Sequence, residues 1–159
     1  MVAGKRTPFG KFGESLKDIS PVDLSVSAVN GTLEQVGVSP EHIDHVIFAN
    51  VLPSTPDTIY GARHTALKVG AKVSTPAYSV NRLCGSGIQA IADGKNIIAF
   101  GIFPFWLFRR GEADCVVAVG VENMSMAPHL VYGSRFGTRF GPLKTVDMLF
   151  DSLTDSVYF

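Results

Sequence analysis

Residues 78–92 read YSVNRLCGSGIQAIA, and the fold follows from how this stretch turns. Upstream, Pro76-Ala77-Tyr78-Ser79-Val80 predicts a short buried strand; downstream, Ile88, Ala90, Ile91 and Ala92 open an apolar-rich segment that predicts a buried helix. Cys84 then sits where strand gives way to helix, and Gly85 and Gly87 let the backbone pack closely in the turn. A thiol placed there meets unpaired backbone N–H groups and the positive end of the helix dipole, both of which favour the thiolate. A nucleophilic cysteine is built in this way. A buried structural cysteine, packing as a small hydrophobe, is the competing reading, and the stretch by itself leaves both open.

Outward from this turn, the chain alternates. Ser20-Pro21 predicts a helix start, with Ser20 as N-cap, Pro21 at the first helical position and Asp23 in the first turn. Val22, Val26, Val29, Leu33 and Val36 make one apolar stripe, and Gly37 closes the helix. Ser39-Pro40-Glu41 forms a turn and 45–52 a buried strand. Residues 53–57 form a loop, and 58–69 a helix ended by Gly70, with Ile59, Ala62, Ala66 and Leu67 facing inward. Residues 88–100 continue as the helix behind Cys84, weakened by about 1 kcal/mol at Gly94. The run CVVAVGV at 115–121 suits a central parallel strand, with Cys115 in the core. Strand, helix, strand, helix, strand, helix, strand is the signature of an α/β layered domain with a mostly parallel sheet. Sites in such sheets form at the carboxyl ends of the strands, where Cys84 lies.

Composition narrows the function classes. Fourteen basic side chains balance fourteen acidic ones, so no basic field points to nucleic acid. A hydrophobic content of 46% with 18% charged residues describes a globular chain. The one membrane-like run, 102–108, is far short of the roughly twenty residues of a spanning helix. Cys84 and Cys115 have no metal-type spacing and suggest a reducing compartment. Asn30-Gly31-Thr32 and Asn123-Met124-Ser125 match the glycosylation sequon by chance, since nothing suggests secretion. Among the histidines, His42 and His45 read as solvated residues flanking a turn, and His64 as a helix-surface or interface residue.

Several stretches then share one resemblance, in register. Asn81-Arg82-Leu83-Cys84-Gly85-Ser86-Gly87 resembles the nucleophile motif of the thiolases. Lys5-Arg6-Thr7-Pro8-Phe9-Gly10, Asn50-Val51-Leu52, Ala62-Arg63-His64 and Gly120-Val121-Glu122-Asn123-Met124-Ser125 resemble the same family in the same order. Arg135-Phe136-Gly137-Thr138 and Asp151-Ser152-Leu153-Thr154-Asp155 resemble the mitochondrial 3-ketoacyl-CoA type most.

The resemblance implies a thiolase-like layered α-β-α fold, of which this chain is the N-terminal half only. Residues 1–126 would be the N-terminal α/β domain, and 127–159 the start of a truncated substrate-covering loop region. The implied chemistry is thiolytic cleavage of 3-ketoacyl-CoA. Cys84 is the implied nucleophile and carries the acyl-thioester intermediate, and its backbone N–H lines an oxyanion hole. CoA enters as a substrate, and neither a metal nor an organic cofactor is implied. The implied partners are acyl-CoA and CoA, and a homo-oligomer for the intact enzyme, with no nucleic acid and no membrane span. The implied compartment is mitochondrial, with cytoplasmic and peroxisomal settings left open.

Three departures qualify this. Residues 101–110, GIFPFWLFRR, form an atypical apolar insert, read as a gene-model or splicing error, a docking patch for a partner, or an extension that packs on the helix. The first strand is a stub at Val2-Ala3. The family's His, Asn and second, acid/base Cys would lie beyond Phe159, and none of His42, His45, His64 or His129 takes their place, so the chain alone is expected to be inactive. Alternative functions are a biosynthetic acetoacetyl-CoA thiolase, a ketoacyl synthase relative, and a non-catalytic truncated partner of a full-length thiolase.

Overall fold

Ser20 begins the first helix as the sequence requires. Its hydroxyl accepts the Asp23 N–H at 3.1 Å, Pro21 occupies the first turn, and Gly37 ends the helix at a φ of 64°. The computed structural model describes residues 1–100, 113–138, 140–155 and 157, so the apolar run 101–110 lies outside the described residues. Helix α1 spans Pro21–Val36, strand β1 His45–Ala49, helix α2 Gly61–Val69 and strand β2 Ala77–Val80. Helix α3 follows at Ser86–Phe100 and strand β3 at Val116–Gly120. A two-stranded antiparallel ribbon, β4 (His129–Val131) with β5 (Thr145–Asp147), and a short helix α4 (Met148–Ser152) complete the described chain.

Strand β1 lies at the middle of a three-stranded sheet of order β2-β1-β3, parallel to both neighbours. All five of its side chains are buried, and they alternate between two layers. Val46 and Phe48 point to α1 and α2, joining Val29, Leu33, Ala62 and Ala66. Ile47 and Ala49 point the other way, against Ala90 and Ile97 of α3. Each large side chain buried in this way contributes about 1.5–3 kcal/mol. The result is the layered α/β arrangement expected from the alternating pattern, in the α-β-α order that the resemblance implies.

Local expectations fail where a neighbour decides the environment. Strand β2 is an edge strand among the described residues, and Tyr78 and Ser79 stay exposed. Among the described residues strand β3 lies beside β1 at the other edge of the sheet, and only Val119 of it is buried. Ile59 and Leu67 point outward; Gly61, Thr65 and Val69 take the inner face of α2, because that face must accommodate Phe48 and the Ser25 hydroxyl, 2.6 Å from that of Thr65. Cys115 is half-buried beside the α1/α2 layer, and its N–H donates to Asp44 Oδ2 at 3.0 Å.

Helix α3 buries one face only. Ala90, Gly94 and Ile97 sit on the sheet, while Ile88, Ile91 and Ile98 are exposed on the opposite face, Ile88 by 76%. Gly94 is there for proximity. A Cβ at that position would stand 3.2 Å from Val116 Cγ1, so the glycine that weakens the isolated helix lets it lie close against β3.

Candidate active site

The turn between β2 and α3 is held by side chains on both sides of Cys84. Asn81 Oδ1 accepts the Leu83 N–H at 3.0 Å. The buried Ser86 hydroxyl donates to the Leu83 carbonyl at 2.6 Å and accepts the Arg82 N–H at 2.8 Å. Backbone bonds from Gly85 N–H to Arg82 and from Ser86 N–H to Leu83 tighten the same loop. The glycines are placed for close packing, as the sequence predicts, and neither Gly85 nor Gly87 has a positive φ. The left-handed residue is Leu83, at 49°. A non-glycine residue in this region is strained, and such strain gathers at functional turns. What Gly85 supplies is room, since a Cβ there would stand 3.3 Å from the Arg82 carbonyl oxygen.

Cys84 itself is exposed, with a free thiol at the carboxyl end of the sheet. Among the described residues the Cys84 N–H makes no hydrogen bond. The neighbouring polar groups of Leu83 are taken up by Asn81 and Ser86.

The loops after the three strands are tied to one another at this same end. Glu122 follows β3, and its carboxylate accepts the Val51 N–H at 3.0 Å, the Leu52 N–H at 2.9 Å and Asn50 Nδ2 at 3.0 Å. Asn50 Nδ2 also donates to the Val121 carbonyl at 3.0 Å. Asn81 Nδ2 reaches the Val51 carbonyl at 3.2 Å, so the turn bearing Cys84 is bonded to the loop after β1. The buried Asn123 donates to the carbonyls of Leu16, Lys17 and Ile19, and Ser125 Oγ accepts the Gly13 N–H at 2.9 Å. Arg63 holds the approach to β2 by donating to the carbonyls of Val73 and Thr75. The motif letters of the sequence thus become clamps around the turn. Asn81, Ser86, Glu122 and Asn50 lie within those motifs, and the signal for their role is a polar side chain next to a strand end, where backbone groups run out of partners.

A second network runs along α3. Arg82 Nη1 donates to Gln89 Oε1 at 2.9 Å, Gln89 Nε2 to Asp93 Oδ1 at 2.7 Å, and Tyr78 Oη to Asp93 Oδ2 at 3.1 Å. Burial and the Asp93 carboxylate push the Tyr78 phenol up to about 12.

The remaining candidates lie elsewhere. His45 is not solvated. It opens β1 at the amino end of the sheet with 3% of its surface exposed, its Nδ1 has no hydrogen-bond partner among the described residues, and burial lowers its pKa. Its ring stands edge-on to Tyr78 at 5.4 Å between centroids. His42 is exposed, His64 stacks obliquely on Tyr60 on α2, and His129 is exposed at the start of β4. None is bonded to the Cys84 turn. Cys115, at the amino end of β3, is opposite in position and in character, because burial and then Asp44 raise its thiol pKa. Among the described residues no cluster of three metal-ligating side chains forms, and no helix is long and apolar enough to cross a membrane.

With this geometry in hand, comparison with known proteins is specific. The family model described as "Thiolase, N-terminal domain" matches residues 1–158. The chain is 47% identical over 156 residues to the human protein named 3-ketoacyl-CoA thiolase, mitochondrial, covering 98% of this chain and 37% of that protein. It is 40% identical over 156 residues to the acetyl-CoA acetyltransferase of Cupriavidus necator, with the same coverage of both. The crystal structure of human mitochondrial 3-ketoacyl-CoA thiolase in complex with CoA superposes with a TM-score of 0.87 at 47% identity, over 97% of this chain and 37% of that one. The chain therefore spans a little over a third of the length of the curated relatives it matches.

Proposed function

The chain belongs to the thiolase family, and from that premise we propose that it carries the nucleophilic part of a 3-ketoacyl-CoA thiolase, with Cys84 as the acyl-accepting residue. The observation that supports this reading is the exposed Cys84 thiol beside an unoccupied N–H, in a strained turn stitched by Asn81 and Ser86.

In the proposed reaction the Cys84 thiolate attacks the 3-keto carbon of 3-ketoacyl-CoA and a carbon–sulfur bond forms. The Cys84 N–H donates to the oxyanion; loss of one such donor costs about 3–4 kcal/mol in other enzymes. The bond between C2 and C3 then breaks, its electron pair takes a proton, and acetyl-CoA departs. The thiol of a second CoA attacks the thioester, the carbon–sulfur bond to Cys84 breaks, and acyl-CoA shortened by two carbons leaves. CoA is thus a substrate, as the complex of the human relative with CoA suggests. The proton transfers need groups that the Cys84 turn lacks among the described residues: the histidines and Cys115 lie at other places in the fold. The chain alone is accordingly proposed not to turn over.

The mitochondrial setting rests on the names of the more similar relatives. A biosynthetic, acetoacetyl-forming role is the second reading, favoured by the acetyl-CoA acetyltransferase resemblance. The exposed isoleucines of α3 make an apolar face suited to a packing partner, and 127–159 is proposed as the beginning of a substrate-covering region.

Incubation of the chain with acetyl-CoA, followed by site-resolved mass spectrometry, tests the reading. An acetyl group on Cys84, absent from Cys84→Ser and unaffected by Cys115→Ser, is expected. Acylation of Cys115 with none at Cys84 overturns it. CoA-dependent cleavage of acetoacetyl-CoA by the purified chain would overturn the proposal that it lacks turnover.

A further inference from the structure

A series of hydrogen bonds runs from Glu122 to Leu83, the residue before Cys84 in the chain. The Glu122 carboxylate takes both the Val51 and Leu52 N–H groups and Asn50 Nδ2, at 2.9–3.0 Å. That fixes the plane of the Val51 peptide region, whose carbonyl accepts Asn81 Nδ2 at 3.2 Å. The other end of the same amide, Oδ1, takes the N–H of Leu83 at 3.0 Å, and Leu83 is the strained residue immediately before Cys84. Asn81 is exposed, so water competes for both ends of its amide. Its orientation is set by having the Val51 carbonyl presented at a fixed place.

We infer that Glu122 is a positioning residue for the nucleophile turn, acting through the 50–52 loop and the Asn81 side chain to hold Leu83 at positive φ and Cys84 in its exposed orientation. This rests on the proposed role of Cys84. Carboxylate chemistry suits the task, because only an acceptor with two oxygens can take three N–H donors from one loop at once. A glutamine in its place keeps the shape but turns one oxygen into a donor, facing donors. Removing the carboxylate therefore frees the loop at a point well away from the thiol, and Leu83 relaxes toward the ordinary region of backbone space.

The test uses the full chain with Glu122→Gln, Asn81→Ala and the double variant, and two measurements. The first is amide hydrogen exchange at Leu83. Loss of one hydrogen bond of ordinary strength should raise it about tenfold in each single variant, and by no more in the double, because both act on one bond. The second is the iodoacetamide rate of Cys84, relative to a small reference thiol and to Cys115 in the same molecule. Cys84 should fall toward the reference in all three variants while Cys115 stays unchanged. Unchanged Leu83 exchange in Glu122→Gln overturns the inference, as does a parallel rise of Cys84 and Cys115 alkylation, which would mean general loosening. If Leu83 exchange rises as stated but wild-type Cys84 reacts no faster than the reference thiol, the tether stands and the nucleophile reading fails, so the two failures are separable.

Discussion

The Ser86 hydroxyl donates to the Leu83 carbonyl at 2.6 Å, so the first residue of α3 closes over the cysteine that precedes it by two positions. The same oxygen accepts the Arg82 N–H, and one buried side chain thereby fixes both flanks of the turn. Ser86→Ala removes both bonds and leaves the Arg82 N–H without its partner. A loss of about 1–2 kcal/mol in unfolding free energy is expected from urea titration. A loss below a few tenths would show that water replaces the hydroxyl.

Leu83 gives a prediction of opposite sign. Its φ of 49° costs a residue with a Cβ about 1–2 kcal/mol, and glycine carries no such cost. The side chain is largely exposed, so little burial is lost. Leu83→Gly should raise stability by up to about 1 kcal/mol after the entropy cost of glycine is subtracted. A fall in the urea midpoint would mean that the Leu83 side chain packs on something the turn depends on.

Gly61 tests the packing of α2. A Cβ there would lie 2.5 Å from Cε1 and 2.7 Å from Cζ of Phe48, whose ring is fully buried. The backbone of Gly61 is ordinary helix, so alanine meets no backbone strain and should be favoured by about 1 kcal/mol on propensity. Overpacking a core typically costs about 1–3 kcal/mol, and with a contact this short Gly61→Ala should be destabilising overall. Combining it with Phe48→Leu should cost less than the sum of the two single changes. Additive losses would refute the proposed clash.

His45 predicts a pH dependence. Burial lowers its folded-state pKa below the ordinary value of 6.5, and its ring faces Tyr78, itself bonded to Asp93. The unfolded chain then binds a proton more readily than the folded one. The contribution of His45 is fully present above about pH 6.5 and is lost as pH falls from there toward the folded pKa, with a slope of at most about 1.4 kcal/mol per pH unit. Urea unfolding of wild type and His45→Phe at pH 7 and pH 5.5 should show the smaller pH effect in the variant. Equal pH effects would assign the titration to another group.

Much of the scaffold could be read before any coordinates because it is local. Ser20, Pro21 and Gly37 carry the boundaries of α1 in their own side chains and backbone preferences, and the uninterrupted apolar run of β1 can only be buried on two faces. The position of Cys84 between β2 and α3 followed from the same kind of reading. What stayed hidden depends on partners distant in the chain. Phe48 decides that Gly61 rather than Ile59 lies inward, and Asp44 decides where Cys115 sits. His45 looked like a turn residue because its burial is conferred by the strands on either side. At the site, the glycines beside Cys84 drew attention away from Leu83, whose positive φ has no signature in its own side chain. Asn81 and Glu122 were visible as letters, but their function lies in loops 30 and 70 positions away.

The three bonds from Asn123 to the carbonyls of Leu16, Lys17 and Ile19 span 104 to 107 positions of sequence. Contacts of such separation form late, since the chain between them must be ordered before they contribute. During synthesis from the N-terminus, residues 13–19 emerge long before Asn123 and Ser125 exist to receive them. The opening segment should therefore be the last part of the sheet domain to gain protection, and the first to be cut by a protease acting on the nascent chain.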